Sequence, residues 1–382
     1  MDTAVNPVAD ALAAARRLVV KVGSSLLVDA ASGLRRAWLD SLAADVAARV
    51  QAGARVVIVS SGAIALGKGR LGLASARRRL ADAQAAAAVG QIALAHAYEA
   101  ALGTHGLVAA QMLLTLSDLE GRRTYLNARE TLERLLQRGA VPVINENDST
   151  ATEEIRFGDN DRLAARVAQM VSADLLILLS DVDGLYTSDP ARDPSAAWIG
   201  EVPALTPAIE AMAGRADALG PGSGGMVTKL AAARIATDAG VAMAIAKGSL
   251  MHPLAALASG ARATLFHAAA PRGRARKLWL AGRQRVAGAL VVDAGAARAL
   301  MSGRSLLPAG LIGVEGHFER GDVVAVKNGD GQTLGRGLAA YSAWEASRLT
   351  GAKSRDIAAR LGYARGPELV HRDDLVMEME EQ

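Results

Sequence analysis

Short apolar runs alternate with long Ala/Leu/Arg-rich segments through the first two thirds of the chain, a rhythm that restricts the fold to βαβ units around a parallel sheet. The runs Leu18–Val22, Arg55–Val59, Leu107–Gln111, Val141–Ile144, Leu175–Leu179 and Ala242–Ala246 read as strands. Between them Ala37–Gln51, Ala76–Leu102, Thr124–Arg138, Asn160–Val171 and Met226–Asp238 read as helices. Several strands run straight into polar or glycine residues: Gly23-Ser24-Ser25, Ser60-Ser61-Gly62, Asn145-Glu146-Asn147-Asp148 and Ser180-Asp181. In open α/β sheets ligands bind outside the carboxyl ends of the strands, where these residues would converge.

The pattern breaks at the Pro/Gly/Arg stretch Ala268–Arg274, and short strands with tight turns follow. Asp322–Lys327 and Thr333–Ala339 flank Asn328-Gly329-Asp330-Gly331, whose residues tolerate the positive φ a hairpin needs. At 382 residues the chain exceeds what one core organises. The expected division is a first domain at 1–268, a linker at 269–276, a small β-rich domain at 277–370 and a tail at 371–382.

Composition removes whole classes of chemistry. With no cysteine, disulfides, Cys-ligated zinc, iron–sulfur clusters and a thiol nucleophile are excluded. The six histidines are scattered and form no HExxH pair. A net charge of +4 is weak support for a polyanionic partner. The start of the chain is acidic where a signal peptide is basic, and the uncharged run Ala83–Tyr98 is shorter than the ~18–20 residues that span a bilayer. A soluble, cytoplasmic protein is expected, with no membrane partner.

Two glycine patterns imitate nucleotide motifs. Gly62 to Lys68 nearly spells a P-loop, but Gly69 stands where a hydroxyl should reach magnesium. Gly220 to Gly225 spells a dinucleotide fingerprint, but residues 215–219 are not the strand it requires. A better phosphate site is the loop Gly222-Ser223-Gly224-Gly225 leading into Met226-Val227-Thr228-Lys229, where backbone N–H groups, the helix dipole and a lysine would hold phosphate oxygens. The alternative is a flexible loop with a solvated lysine. Lys21 closes an otherwise apolar strand, and a buried lysine needs an anion, either a bound phosphate or a carboxylate partner. The clusters around Asn145–Asp148 and Gly158–Asp161 would supply a carboxylate for an amino acid's ammonium and amide donors for its α-carboxylate. Taken singly, such clusters are more often plain turns.

Together the segments Lys21-Val-Gly-Ser-Ser, Ser60-Ser-Gly-Ala-Ile-Ala, Gly90-Gln91, Ile144-Asn-Glu-Asn-Asp148, Gly158-Asp-Asn-Asp161, Gly184-Leu-Tyr-Thr187 and Gly224-Gly-Met226 to Thr228-Lys229 resemble the glutamate 5-kinase family, amino acid kinases with a C-terminal PUA domain. The resemblance implies an αβα sandwich with a mostly parallel sheet, followed by a PUA-like barrel. It implies ATP-dependent phosphorylation of the side-chain carboxylate of L-glutamate, the opening step of proline biosynthesis. It casts Lys21 and Lys229 as contacts of the transferring phosphoryl group, with Asp161 orienting both. Ser61, Asp148 and Asn160, helped by Asn145, take the glutamate-binding positions. Lys21, Ser180, Asp181 and the segment Ser223, Gly224, Gly225, Met226, Val227, Thr228 and Lys229 take the ATP-binding ones. Mg²⁺ would travel with ATP, held mainly through its phosphates, with no protein metal ligand assigned. A homodimer or homotetramer is implied, and proline stands as a candidate feedback inhibitor. Two readings compete: another amino acid kinase acting on aspartate or N-acetylglutamate, and an RNA-binding PUA protein using Arg272, Arg274, Arg276 and Lys277. The low aromatic content, 3%, leaves few rings for stacking on bases, so nucleic acid is not the expected partner.

Overall fold

The computed structural model describes residues 6–29, 33–73, 79–150, 159–213, 225–269 and 286–377. Contacts divide the chain into two units, Met1–Glu120 with Asn127–Ala270, and Gly121–Leu126 with Pro271–Gln382. The expected linker, from residue 270 onward, and the basic residues Arg272, Arg274, Arg276 and Lys277 lie outside the described residues. Among the described residues no helix is long and apolar enough to cross a membrane.

Eight strands form the first unit's main sheet: β1 Arg17–Val22, β2 Arg55–Val59, β3 Ala109–Leu114, β4 Val141–Glu146, β5 Leu175–Ser180, β6 Glu201–Val202, β7 Ala242–Lys247 and β8 Ala263–Phe266. They lie in the order β6-β8-β7-β5-β1-β2-β4-β3, and every neighbouring pair is parallel except β7 with β8. Every residue of β5 is buried, as expected for a parallel strand covered on both faces. On one side the helices Arg36–Gln51 and Leu80–Gly103 join Leu18, Val20, Val22, Ile177 and Leu179 in a shared core. The helices Asp159–Met170 and Met226–Asp238 pack on each other, and the first also lies against β1 and β5.

The chain leaves β1 toward β2 on one side and later returns to β5 on the other, so β1 is the topological switch point, where α/β sheets open a crevice. Register keeps the carboxyl ends level. Lys21 lies opposite Val59 and Leu178, and Lys247 lies opposite Ser180. Strands that were expected to stop at Ile144, Leu179 and Ala246 each run one or two residues further, so that Asn145, Ser180 and Lys247 still belong to the ladder.

Other differences have local causes. The helix expected over Ala76–Leu102 begins at Leu80, and a separate helix, Ala63–Leu71, precedes it. These two cross closely because both contact points are glycine. A Cβ on Gly67 would sit 1.7 Å from the Ala86 carbonyl oxygen, and one on Gly90 would sit 1.8 Å from that of Ala63. The P-loop-like letters therefore encode a helix crossing. The helix Pro7–Ala14 was not anticipated, although its start follows a plain rule: Asn6 Oδ1 accepts from the N–H groups of Val8 and Ala9 at 3.1 and 3.2 Å, and proline fills the first position.

The second unit holds a five-stranded sheet in the order Leu311–Gly316, Gly288–Val292, Val323–Lys327, Thr333–Leu338, Leu375–Met377. The expected hairpin is present. Asn328 Oδ1 accepts from the N–H groups of Asp330 and Gln332, and Gly331 takes φ +83°. Leu290, Val292, Val324, Val326, Tyr341, Leu349 and Ile357 fill the core beneath. The segment read as a tail contributes Leu375–Met377, paired antiparallel with Gly335–Gly337, while 378–382 lie outside the described residues.

Two glycines of one helix should respond with opposite signs. Gly67→Ala meets the backbone at Ala86 and should cost about 3 kcal/mol or more. Gly69→Ala adds a Cβ with nothing within 4 Å and should stabilise by about 0.5–1 kcal/mol. Urea unfolding of the full chain measures both, and equal responses would exclude the close crossing.

Candidate active site

A cavity of about 660 Å³ lies along the carboxyl edge of the sheet, around the ends of β1, β4, β5 and β7. Its centre is a pair of lysines sharing one carboxylate. Lys21 Nζ is 2.6 Å from Asp161 Oδ1, and Lys229 Nζ is 3.8 Å from Asp161 Oδ2. Thr228 donates its hydroxyl to the same Oδ2 at 3.3 Å. Asp161 is only 1% exposed, so the carboxylate is tied to this arrangement. It stands in the first turn of the helix Asp159–Met170, and Lys229 in that of Met226–Asp238, so the packing of these helices brings both to the end of β1. Burial pushes the Lys229 ammonium below the usual lysine range and Lys21 repels it further, partly offset by Asp161. The Asp181 carboxylate, at the end of β5, also attracts both ammonium groups, which line the cavity as charged donors for an anionic ligand.

Beside them sits a region of acceptors. Asn160 donates its NH₂ group to Ser61 Oγ at 2.8 Å, and Asn145 donates its NH₂ group to Gln91 Oε1 at 2.7 Å. Their other amide atoms, Asn145 Oδ1 and Asn160 Oδ1, are buried with no hydrogen-bond partner among the described residues. Asp148 is 9% exposed and lines the same cavity, and burial pushes its carboxyl up from 3.8 to about 6. The amides had been expected to donate to a ligand carboxylate. With one N–H of each NH₂ group held locally, the amides are oriented so that their oxygens are left without a partner among the described residues. A donor remains at Ser61, whose Oγ accepts from Asn160 and so retains its own hydrogen.

At the third side Ser180 donates its hydroxyl to Asp181 Oδ1 at 2.8 Å. Burial raises the Asp181 carboxyl, but that hydrogen bond with Lys229 and Lys21 outweighs it and holds the group below the usual range. Gly225 and Met226 line this end of the cavity; Val227 does not and is exposed. Ser223 and Gly224 lie outside the described residues, as does the Gly220–Gly224 part of the fingerprint-like run. Among the described residues no group of three or more His, Asp or Glu side chains could hold a metal ion. The carboxylate at Asp181 fits the small protein share taken by Mg²⁺, which binds chiefly through substrate phosphates.

Sequence reasoning missed Lys247 and gave Gln91 no role. Lys247 lines the cavity and makes no ion pair among the described residues. The signal that marked Lys21, a lysine near the end of an apolar parallel strand that runs into glycine, is repeated at Ala242–Lys247-Gly248. No local signal marks Gln91, because its partner lies 54 residues away.

Comparison with known proteins agrees with this division of the chain. Residues 16–247 match the model of the amino acid kinase family, and residues 288–361 match that of the PUA domain. The glutamate 5-kinase of Paramagnetospirillum magneticum is 60% identical over 368 residues, covering 96% of this chain and 99% of that one. Glutamate 5-kinase 1 of Rhizobium meliloti is 56% identical over 95% of this chain and 92% of its own. The glutamate 5-kinase of Brucella ovis is 57% identical over 95% and 96%.

The buried Asp148, which has no ion pair among the described residues, carries a stability cost with a defined pH range. Its folded-state carboxyl titrates near 6, above the ordinary 3.8, so between those values the folded protein holds a proton that the unfolded chain has lost. Stability therefore falls as pH rises through that window, and the cost is complete above it. Asp148→Asn should stabilise the unliganded protein by about 1–3 kcal/mol at pH 7, with no gain below about pH 4. Unfolding midpoints measured at both pH values check this; a gain independent of pH would refute it.

Proposed function

Since the chain belongs to the amino acid kinase family, within its glutamate 5-kinase branch, we propose that it transfers the γ-phosphoryl group of ATP to the side-chain carboxylate of L-glutamate, giving L-glutamyl 5-phosphate. The observation that carries this reading is the adjacency of an acceptor-lined region to the Lys21–Asp161–Lys229 cluster in one cavity. Glutamate has a cationic end and an anionic end, and the cavity offers the complement of each. The catalytic domain is assigned to 1–268 and the PUA-like domain to the chain from 277 through the strand Leu375–Met377.

The ammonium group of glutamate binds Asp148 with the Asn145 and Asn160 oxygens, each an acceptor that lacks a protein donor among the described residues. Its α-carboxylate takes the Ser61 hydroxyl, near the N-terminus of the helix Ala63–Leu71. The side-chain carboxylate then extends toward the lysines. With a pKa of about 4.3 it is already an anion at neutral pH, so attack on phosphorus needs no general base. One of its oxygens bonds to the γ-phosphorus as the bond to the ADP oxygen breaks, and no proton moves. Lys21 and Lys229 neutralise charge on the phosphoryl oxygens, and Asp161 holds both ammonium groups in place before substrate arrives. Mg²⁺ on the ATP phosphates supplies further charge neutralisation. Ser180, Asp181, Gly225, Met226 and Lys229 face the nucleotide, with Ser223 and Gly224 assigned to the phosphate loop on sequence. Proline carries the same ammonium and α-carboxylate pattern, so it would compete for the acceptor region.

The assay is ATP consumption by purified protein with Mg²⁺ and each of glutamate, aspartate and N-acetylglutamate, with hydroxylamine trapping the acyl phosphate. Turnover with glutamate alone is expected; turnover with N-acetylglutamate, which has no ammonium for Asp148, would overturn the substrate assignment. Lys229→Ala should lower kcat by about two orders of magnitude, comparable with losing one preorganised donor. A raised KM at constant kcat would contradict its role. Asp148→Ala should raise KM for glutamate strongly while KM for ATP stays constant, and equal rises in both would refute that assignment.

A further inference from the structure

The pair Gly90-Gln91 enters the chemistry above only through Gly90, which permits the helix crossing. Gln91 follows it on the helix Leu80–Gly103, and its side chain reaches β4, where its Oε1 accepts the Asn145 NH₂ group at 2.7 Å. We propose that Gln91 is a positioning residue for the amino-acid substrate: by holding the Asn145 NH₂ group, it leaves Asn145 Oδ1 as the acceptor that meets the substrate's ammonium. This rests on the reading of the cavity as a glutamate site.

An asparagine amide offers donors at one end and an acceptor at the other, and half a turn about its last bond exchanges them. A site for an ammonium must fix that choice, because an N–H aimed at an N–H repels. Asn145 is 2% exposed, and its Oδ1 is buried with no hydrogen-bond partner among the described residues. An unpaired buried carbonyl oxygen is costly unless a ligand completes it. Asn160 repeats the arrangement independently: its NH₂ group is held by Ser61 Oγ and its Oδ1 is left without a partner. With the Asp148 carboxylate, the two amide oxygens make a set of acceptors, matching the three donors of an ammonium group. Gln91 thus does for Asn145 what Ser61 does for Asn160.

Gln91 also lines a second, smaller cavity of about 280 Å³ with Tyr98, Gln111 and Val143. Methionine fills a volume similar to that of glutamine, so Gln91→Met removes the amide acceptor while keeping a side chain against these residues.

The test uses the full-length enzyme with glutamate and ATP varied in turn, for wild type, Gln91→Met, Gln91→Glu, Asn145→Ala and the double variant Gln91→Met/Asn145→Ala. Gln91→Met, similar in shape but without the amide acceptor, should raise KM for glutamate about tenfold with KM for ATP and kcat little changed. Gln91→Glu, whose carboxylate can only accept, should restore glutamate KM to within about threefold of wild type. In the Asn145→Ala background Gln91→Met should add nothing further. The inference is overturned if Gln91→Met leaves glutamate KM unchanged, raises both KM values alike, or remains additive with Asn145→Ala, or if Gln91→Glu binds no better than Gln91→Met. Absence of wild-type turnover with glutamate overturns the function and this inference together, whereas normal wild-type turnover with a flat Gln91 series overturns the inference alone.

Discussion

The carboxylate of Asp161 is what allows two lysines to share the floor of this cavity. Without it Lys21 and Lys229 would be like charges held out of water, and burial already pushes the Lys229 ammonium below its usual range. With it, each cation has a partner in the unliganded protein, and Asp181 adds a second attracting carboxylate. Both ammonium groups still line the cavity, where they can donate to phosphoryl oxygens. The arrangement depends on the sheet's switch point: β1 delivers Lys21 in the middle, and the helices Asp159–Met170 and Met226–Asp238 bring Asp161 and Lys229 over its end from one packed layer. Moving either helix by the width of a side chain would separate the triad, so the apolar packing beneath it sets the site's electrostatics.

Donors and acceptors are separated along the cavity. The lysines gather where β1 and β7 end, around Asp181, and oxygens without a donor among the described residues gather where β4 ends and the helix Asp159–Met170 begins. A zwitterion with a second carboxylate can satisfy both regions at once, and only in one direction. Orientation therefore comes from where the protein leaves groups unpaired, more than from the shape of the walls. The same segregation explains how a site with no histidine can carry out phosphoryl transfer: the nucleophile arrives ionised, and the protein's task is alignment and neutralisation.

Legibility followed the range of the interactions. Elements fixed by local patterning, such as β2 and the helix Met226–Asp238, stand at the bounds that periodicity gives them. Lys21 stood out because a charged residue in an apolar strand demands a partner, yet the same feature at Lys247 went unread. The helix Pro7–Ala14 is encoded locally, by the Asn6 cap and by proline at the first position. The amide orientations were not legible at all, since nothing local shows that Gln91 and Ser61 hold one N–H of Asn145 and of Asn160 and leave the oxygens over. The glycines of the P-loop-like run misled for a related reason. A glycine required by a helix crossing and one required by a phosphate are the same letter, and only the partner, here the Ala86 carbonyl, separates them.

These features imply a division of labour between scaffold and site. The buried strands and the close glycine crossing are satisfied within the chain, and they hold the cavity in place whether or not ligand is present. Among the described residues the cavity concentrates what the fold leaves unsatisfied: the Asp148 carboxylate and two buried amide oxygens. Each lowers the stability of the unliganded protein, and the substrate's ammonium group relieves them together while the phosphoryl oxygens meet the lysines. Folding free energy withheld at these atoms is thereby returned as binding free energy, and it is returned in full only by a ligand that presents a cation and an anion at the separation the cavity sets.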